Sequence, residues 1–391
     1  MIEILLAFIV ILLGTKLAAH LCQLINIPSV IGELLVGILL GPAMLNLVHP
    51  SQTMEIFSQI GVIFLMFLAG LESDFHLLRK YMKPSVVIAC LGVILPMILF
   101  FIVGNVFHMP TMEAVFLGIV FAATSVSISV QVLREYNHLD SKDGSIILGS
   151  AVVDDIMVVM IVSIFTTILD QKGSFSFNLA FLWDMIGGKL LFFLVAFLFA
   201  KYLLLPLLRI AKRLYATEAV TAFSLALCFA FALLSEELGM SDVIGAFFVG
   251  LMISLTEHQK VVQEKIDVIG YSLFIPIFFV SIGLNVRFDG FIKNLPFILI
   301  LTVLGVLSKL IGGYIGGRFS HLTSRQSFVV GAGMVSRGEM ALIIVQMGVR
   351  YHLISDNMYS EIIMAIILTT LISPFLIKGA LAKEKEELIE G

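Results

Sequence analysis

The sequence predicts an all-α polytopic membrane protein with about thirteen transmembrane helices, two inverted repeats, and discontinuous helices at the fifth and twelfth positions. Three observations predict it. The composition is too apolar for a water-soluble core, basic residues gather on one side of the apolar segments, and a set of glycines recurs at a fixed offset.

Of the 391 residues, 59% are hydrophobic and only 13% charged, against about 25% charged in a soluble domain. Lipid is the solvent that such a surface needs. A net charge of -4 with no concentrated basic face excludes a nucleic-acid partner. Cys22, Cys90 and Cys228 lie far apart in apolar runs and read as small buried residues, not as metal ligands. The first apolar run lacks a basic start and carries Glu3, so it reads as a membrane helix and not as a removed leader.

A spanning helix needs about 20 mostly apolar residues. Segments fitting that need lie at 3–24, 29–46, 53–72, 84–107, 111–134, 143–169, 182–206, 217–236, 241–256, 264–284, 294–318, 325–349 and 356–380. The ninth is short, which keeps a twelve-span count open. Loops after odd-numbered segments, with the tail, hold sixteen Lys and Arg, among them Arg79, Lys80, Arg134, Lys212 and Arg318. The opposite side holds only Lys172, Arg287, Lys293 and Arg350. Basic residues collect on the cytoplasmic side, which puts the N-terminus outside and the C-terminus in the cytoplasm. Trp183 falls at the outer end of segment 7, where an aromatic belt residue belongs.

The run Ile31-Gly32-Glu33-Leu34-Leu35-Val36-Gly37 returns as Ile244-Gly245-Ala246-Phe247-Phe248-Val249-Gly250, an offset of 213. At that offset Gly70 meets Gly283, Gly92 meets Gly305, Gly104 meets Gly317 and Gly118 meets Gly331. The shift carries segment 2 onto 9 and segment 5 onto 12, seven segments along. Seven is odd, so the copies face opposite ways in the membrane. Inverted repeats of this kind mark secondary transporters, with the site at the repeat interface near the midplane. Segments 1–6 and 8–13 form the halves and segment 7 the linker.

Charges deep in a membrane helix cost about 2.5 kcal/mol or more each and point to function. Asp154 and Asp155 sit at the centre of segment 6. Neighbours on a helix point about 100° apart, so the two carboxylates address different partners. A carboxylate that holds either a proton or a dehydrated Na⁺, but not both, is the smallest exchange device. Lys309 is central in segment 11, and Asp154 is the acid expected to hold its charge. Segment 12 reads Gly331-Ala332-Gly333-Met334-Val335-Ser336-Arg337-Gly338-Glu339. Glycines and charge at mid-span suggest an unwound helix, which is tolerated at that depth only where it is buried in protein or lines a cavity. Its repeat mate carries Thr124, Ser125, Ser127 and Ser129 and is expected to break as well. Arg337 and Glu339 could then offset the half-helix ends, or pair with each other. Glu33 in segment 2 and Glu72 at the end of segment 3 are possible ion-path acids. Pro96 marks a kink, and the eight histidines sit at helix ends or loops and read as solvated.

Several of these stretches together resemble the bacterial monovalent cation:proton antiporter family 2, in its NapA-type sodium/proton branch. They are Ala151-Val152-Val153-Asp154-Asp155, Ala123-Thr124-Ser125-Val126, Ser308-Lys309 with Gly312-Gly313, and Ser336-Arg337-Gly338-Glu339. Ile27-Pro28-Ser29-Val30-Ile31-Gly32-Glu33 and Gly70-Leu71-Glu72 extend the likeness to residues 5–380. The resemblance implies thirteen helices, a homodimer, and elevator-type exchange of Na⁺ (with Li⁺ or K⁺ as alternatives) for H⁺ across the cytoplasmic membrane. It implies a core bundle over about 84–169 and 294–380, a dimer scaffold over about 1–72 and 217–284, a linker at 182–212, and broken helices 5 and 12 crossing beside the acids. Asp155 matches the ion-binding aspartate, Asp154 the partner of the core lysine Lys309, and Thr124 the broken-helix threonine near the ion, with Ser125 beside it. Arg337 and Glu339 match the polar pair of the second break. No cofactor is implied beyond the transported ions.

Two departures stand out. The family's potassium-efflux members carry Gln-Asp and a large cytoplasmic nucleotide-binding domain; this chain has Asp-Asp and about eleven residues after segment 13, so no C-terminal regulatory domain is expected. The family often has proline where this chain has Ser336. Competing classes are a K⁺/H⁺ antiporter of the same family, a cation-coupled solute symporter of similar fold, and an intramembrane aspartyl protease. The protease needs two aspartates converging on one water, and adjacent residues diverge, so an enzyme is not expected.

Overall fold

The computed structural model describes residues 2–25, 28–170, 186–285, 294–351, 353–354 and 356–390. Among them every regular element is a helix. Trp183, Lys172, Arg287 and Lys293, on which part of the topology reading rests, lie outside the described residues.

Segment 1 is α1 (Ile2–Leu24) and segment 2 is α2 (Ser29–Leu40). The latter stops six residues before its predicted end. The apolar stretch continues, but Gly41 closes the helix with its N–H on Gly37 O and Pro42 follows. Next come α3 (Gln52–Glu72), the short α4 (Phe75–Lys80) and α5 (Met82–Val106), which holds Pro96. Segment 5 is two helices, α6 (Thr111–Ala122) and α7 (Val126–Glu135), followed by α8 (Lys142–Asp170). Segment 7 is bent by 49° between α9 (Gly188–Tyr202) and α10 (Leu204–Arg213). Then α11 (Ala219–Glu237) and α12 (Asp242–Ser254) follow. Segment 10 starts earlier than predicted, with α13 (Gln259–Ile269), a π turn at Gly270–Phe274 and α14 (Ile275–Leu284). Next is α15 (Leu295–Phe319). Segment 12 is again two helices, α16 (Ser324–Gly333) and α17 (Glu339–Arg350), and α18 (Asp356–Glu390) ends the chain. Among the described residues nine helices are long and apolar enough to cross a membrane, or ten with the α9–α10 pair as one span.

The internal repeat is visible atom by atom. A Cβ on Gly37 would lie 2.2 Å from Val280 O, and one on Gly250 would lie 2.2 Å from Phe67 O. These are one contact written twice, since an offset of 213 turns 37 into 250 and 67 into 280. Likewise Gly283 meets Leu34 O at 2.3 Å and Gly70 meets Phe247 O at 2.1 Å. Gly118 on Met97 recurs as Gly331 on Leu310, and Gly104 on Ala114 recurs as Gly317 on Ser327. Helices that touch backbone to backbone accept only a residue without Cβ there, and membrane helices associate through such small residues.

Two sets of helices pack among themselves. In one, α5 lies against α6, α8 and α15, while α15 packs on α16 and α18. In the other, α3 lies against α12 and α14, and α2 packs on α1 and α14. His258 departs from the solvated reading of the histidines: at the N-cap of α13 it is only 7% exposed.

Candidate cation site

Lys309 Nζ lies 3.0 Å from Asp154 Oδ1, and neither side chain is exposed to any measurable degree. The pair joins α15 to α8. A lone charge at such depth would be expensive, and an opposite charge with a hydrogen bond offsets that cost. Gly92 on α5 faces the lysine head, where a Cβ would make ordinary contact with Nζ at 3.8 Å. Asp154 Oδ2 is buried without a hydrogen-bond partner. Asp155, one residue on, is half-buried, so the adjacent carboxylates occupy different surroundings.

The two helix breaks meet, and Arg337 of the second lies within electrostatic reach of Asp154 and Lys309. Between α6 and α7 residues 123–125 are non-helical, with extended backbone at Ala123 and Ser125, where Thr and Ser disfavour helix because their hydroxyls compete for backbone groups. Between α16 and α17 residues 335–338 are non-helical. Ser125 N–H donates to Ser336 O at 2.9 Å, Ser336 Oγ donates to Ser125 O, and Ser129 Oγ donates to Gly333 O. Each break therefore satisfies backbone groups the other has freed. Thr124 Oγ1, Ser125 Oγ, Ser127 Oγ and, one turn before Asp154, Ser150 Oγ are buried without a partner. Buried polar atoms are ordinarily paired, so oxygens left open are suited to a desolvated cation or its water.

Arg337 is fully buried and spends its fork on carbonyls. Nη2 reaches Phe121 O at 2.9 Å and Gly305 O at 2.8 Å, Nε reaches Phe121 O at 3.3 Å, and Nη1 reaches Val335 O at 2.9 Å. Its guanidinium carbon is 5.1 Å from the centre of the Phe121 ring. Phe121 is in the last turn of α6, where carbonyls lack helical partners and carry partial negative charge. Glu339 begins α17; its side chain lies outside the described residues.

Glu33 and Glu72 belong to other groupings. Glu33 is 6% exposed, its Oε2 has no partner, and it lines a cavity of about 430 Å³ with Lys16, Ser29, Gln131, Glu135 and Tyr271. Glu72 pairs with Arg134 Nη2 at 2.8 Å and accepts from Gln263 at 2.7 Å. It lines a second cavity, of about 500 Å³, with Asn137, Asp140 and Gln259. Arg134 borders both cavities, pairs with Asp267, and stacks 4.7 Å from the Tyr271 ring. Its neighbour Glu135 accepts from Ser29 N and Oγ at the start of α2, at 3.0 and 2.9 Å. The sequence reading passed over Ser150, Glu135 and Asp267. For Ser150 the signal was its spacing of four from Asp154, which shares a helix face; for the other two, nothing in a linear reading pairs them across the fold.

The family model described as "Sodium/hydrogen exchanger, transmembrane" matches residues 4–383. The chain belongs to the sodium/hydrogen exchanger family. It is 46% identical over 368 residues to a Na⁺/H⁺ antiporter of Enterococcus hirae, covering 94% of this chain and 95% of that one. It is 41% identical over 376 residues to the Na⁺/H⁺-K⁺ antiporter GerN of Bacillus cereus, covering 96% of each. The solved sodium proton antiporter MjNhaP1 of Methanocaldococcus jannaschii superposes with a TM-score of 0.71 at 19% identity, over 97% of this chain and 99% of that one, and shares the fold. This exchanger-family chain is a multi-pass membrane protein, and its family is one of transporters, not enzymes. The protease reading falls with that.

Proposed function

We propose that this family member exchanges Na⁺ for H⁺, with Li⁺ or K⁺ accepted in place of Na⁺, and that Asp155 is the carrier. The observation that carries the reading is the inequality of the two acids: Asp154 is locked to Lys309 with no exposure, while Asp155 stays half-buried one residue away. A carboxylate bound by a lysine is poorly placed to alternate between cation and proton; its half-buried neighbour is the better placed of the two. Thr124 and Ser125 supply neutral oxygens to the ion. Asp154 and Lys309 form the coupling pair, which loosens or tightens as protons arrive. Arg337, with Glu339, compensates the half-helix ends. Glu33 and Glu72 line the ion's route.

Motion follows the packing. The α5–α8 and α15–α18 group (about 84–169 and 294–380) is the transport core, the group over about 1–72 and 217–284 is the scaffold, and 182–212 links them. The core slides as an elevator, with the broken segments 5 and 12 crossing within it. The protein is a NapA-type homodimer of thirteen spans in the cytoplasmic membrane, N-terminus outside and C-terminus inside. The relative GerN, a Na⁺/H⁺-K⁺ antiporter by name, favours K⁺/H⁺ exchange as the second reading. No comparable observation favours a solute symporter.

If one carboxylate serves both ions, protons compete with Na⁺. Apparent KM for Na⁺, read from proton flux in proteoliposomes, then rises by about tenfold per pH unit below the carrier's pKa, the linkage expected of one proton displaced per ion. A KM that stays flat across the pH range in which the flux itself titrates contradicts the shared carboxylate.

A further inference from the structure

The ends of α7 and α17 are repeat mates, yet they meet the rest of the molecule in different ways. α17 begins at Glu339 as α7 begins at Val126, the same offset of 213. The repeat also holds at the centre of the other helix group. Gly61 and Phe274 are each other's mates, and a Cβ on Gly61 would lie 2.3 Å from Phe274 O. An inverted repeat lets contacts on one side of the membrane be compared with those on the other, residue by residue.

At the end of α7 the contact is polar and continuous. Tyr271 OH donates to Gln131 Oε1 at 2.8 Å. Arg134 Nη2 lies 2.8 Å from Glu72 Oε1 and also pairs with Asp267. Glu135 accepts from Ser29 N–H at 3.0 Å. These partners sit on the π turn, α3, α13 and α2, all in the group that the proposed function makes the scaffold. α7 packs on α2 and α3 accordingly.

The mates of these residues can form none of those ion pairs. Across the offset, Gln131, Arg134, Glu135 and Glu72 become Ile344, Met347, Gly348 and Asn285, while Asp267 and Tyr271 become Met54 and Ser58. Ser29 becomes Asp242, whose counterpart Gly348 has no side chain to pair with it. α17 packs on α6 and α18. It meets the scaffold group across a cavity of about 470 Å³, lined by its own Leu342 and Ile343 and, opposite them, by the mates Met54, Ser58 and Asn285.

Docked at the α7 end and parted at the α17 end, the molecule occupies one of two arrangements that an inverted repeat allows. Leaving it takes Arg134 away from two acids. Leaving the opposite arrangement breaks no such ion pair. We infer that Arg134, Glu72 and Asp267 form a one-sided clasp that favours the α7-docked arrangement over its repeat-swapped counterpart, so that the exchange cycle has unequal resting states. The inference rests on the proposed movement of the core against the scaffold. Partly exposed ion pairs are individually weak, but an equilibrium between two conformations shifts with small differences.

The test reads the distance between spin labels on scaffold and core by pulsed electron resonance. The labels go on Val261→Cys of α13 and Phe319→Cys of α15, both exposed. Cys90 is changed to alanine, Cys22 and Cys228 being buried, and labelled chains are diluted with unlabelled ones. One distance should dominate in the parent. In Arg134→Met, which supplies the residue of the repeat mate, the ratio of that population to a second one should fall by about threefold to tenfold, what one or two partly exposed ion pairs are worth. Should Arg134→Met fail to fold, Asp267→Asn removes one acid at constant size and should shift the ratio the same way by less. An unmoved distribution in a folded variant overturns the inference, and a lowered thermal midpoint beside it would make Arg134 a stabilising contact only. With cation-driven proton flux in the parent, that result sinks this inference alone. A parent without such flux sinks the exchange reading and this inference with it.

Discussion

Lys309 and Asp154 form an ion pair whose two side chains both have zero exposure, Nζ to Oδ1 at 3.0 Å. Breaking a buried pair from one side leaves an uncompensated charge, at about 3–5 kcal/mol. Lys309→Met should therefore lower the thermal midpoint of the detergent-purified protein well below that of Lys309→Met combined with Asp154→Asn. A double variant no more stable than the single would show that the two charges do not balance each other.

The close glycine contacts carry their own cost. A Cβ on Gly313 would lie 2.6 Å from Gly331 Cα, and the obstacle is backbone, which has nowhere to go. Gly313→Ala should cost about 1–3 kcal/mol by overpacking, read as a lowered thermal midpoint. Gly379→Ala is the control, because a Cβ there meets nothing within 4 Å; equal losses in the two would remove the packing argument.

Much of this fold is legible because lipid demands long apolar runs, and the glycine offset foretells the contacts between halves. The misplaced ends have physical reasons. Segment 2 ends at Leu40 because Gly41-Pro42 stops the backbone while Ala43-Met44-Leu45 keeps the hydropathy high. Segment 10 begins at Gln259 because α13 is polar along one side, Gln259-Lys260 and Gln263-Glu264-Lys265 included, and an apolar window does not register it. At the site, Asp154, Asp155, Lys309 and Arg337 are conspicuous as charges in apolar sequence. What Arg337 holds is not, since backbone carbonyls of Phe121 and Gly305 leave no mark in a sequence. The bond from the Ser336 hydroxyl to the Ser125 carbonyl is hidden for the same reason.

Arg337 should not be replaceable by lysine. Its planar fork serves three carbonyls at once, whereas an ammonium is a point charge with no fixed fork. Arg337→Lys is expected to lose about 1–3 kcal/mol, the cost of a buried group left unpaired, and to slow exchange in proteoliposomes by tenfold or more, about the same energy expressed as a rate. Wild-type stability and flux in Arg337→Lys would reduce the residue to a charge.

Arg134 ties α7 to Glu72 of α3 and Asp267 of α13. These partners are partly exposed, so the loss in Arg134→Ala should be modest, about 1 kcal/mol, and should shrink as salt is raised. Adding Glu72→Gln removes one of the acids left facing each other and should recover part of the midpoint. A salt-independent loss with no recovery would mean that Arg134 acts by packing on Tyr271 and not by charge.

Cation-driven proton flux in proteoliposomes, compared between wild type and Asp155→Asn, tests the shared carboxylate most directly. The half-buried position of Asp155 makes the neutral isostere a mild change to the fold, so its thermal midpoint should stay near that of the wild type. The account predicts flux on addition of Na⁺, Li⁺ or K⁺ in the wild type and none above the protein-free background in Asp155→Asn. Cation-driven proton flux that persists in a folded Asp155→Asn protein would contradict it.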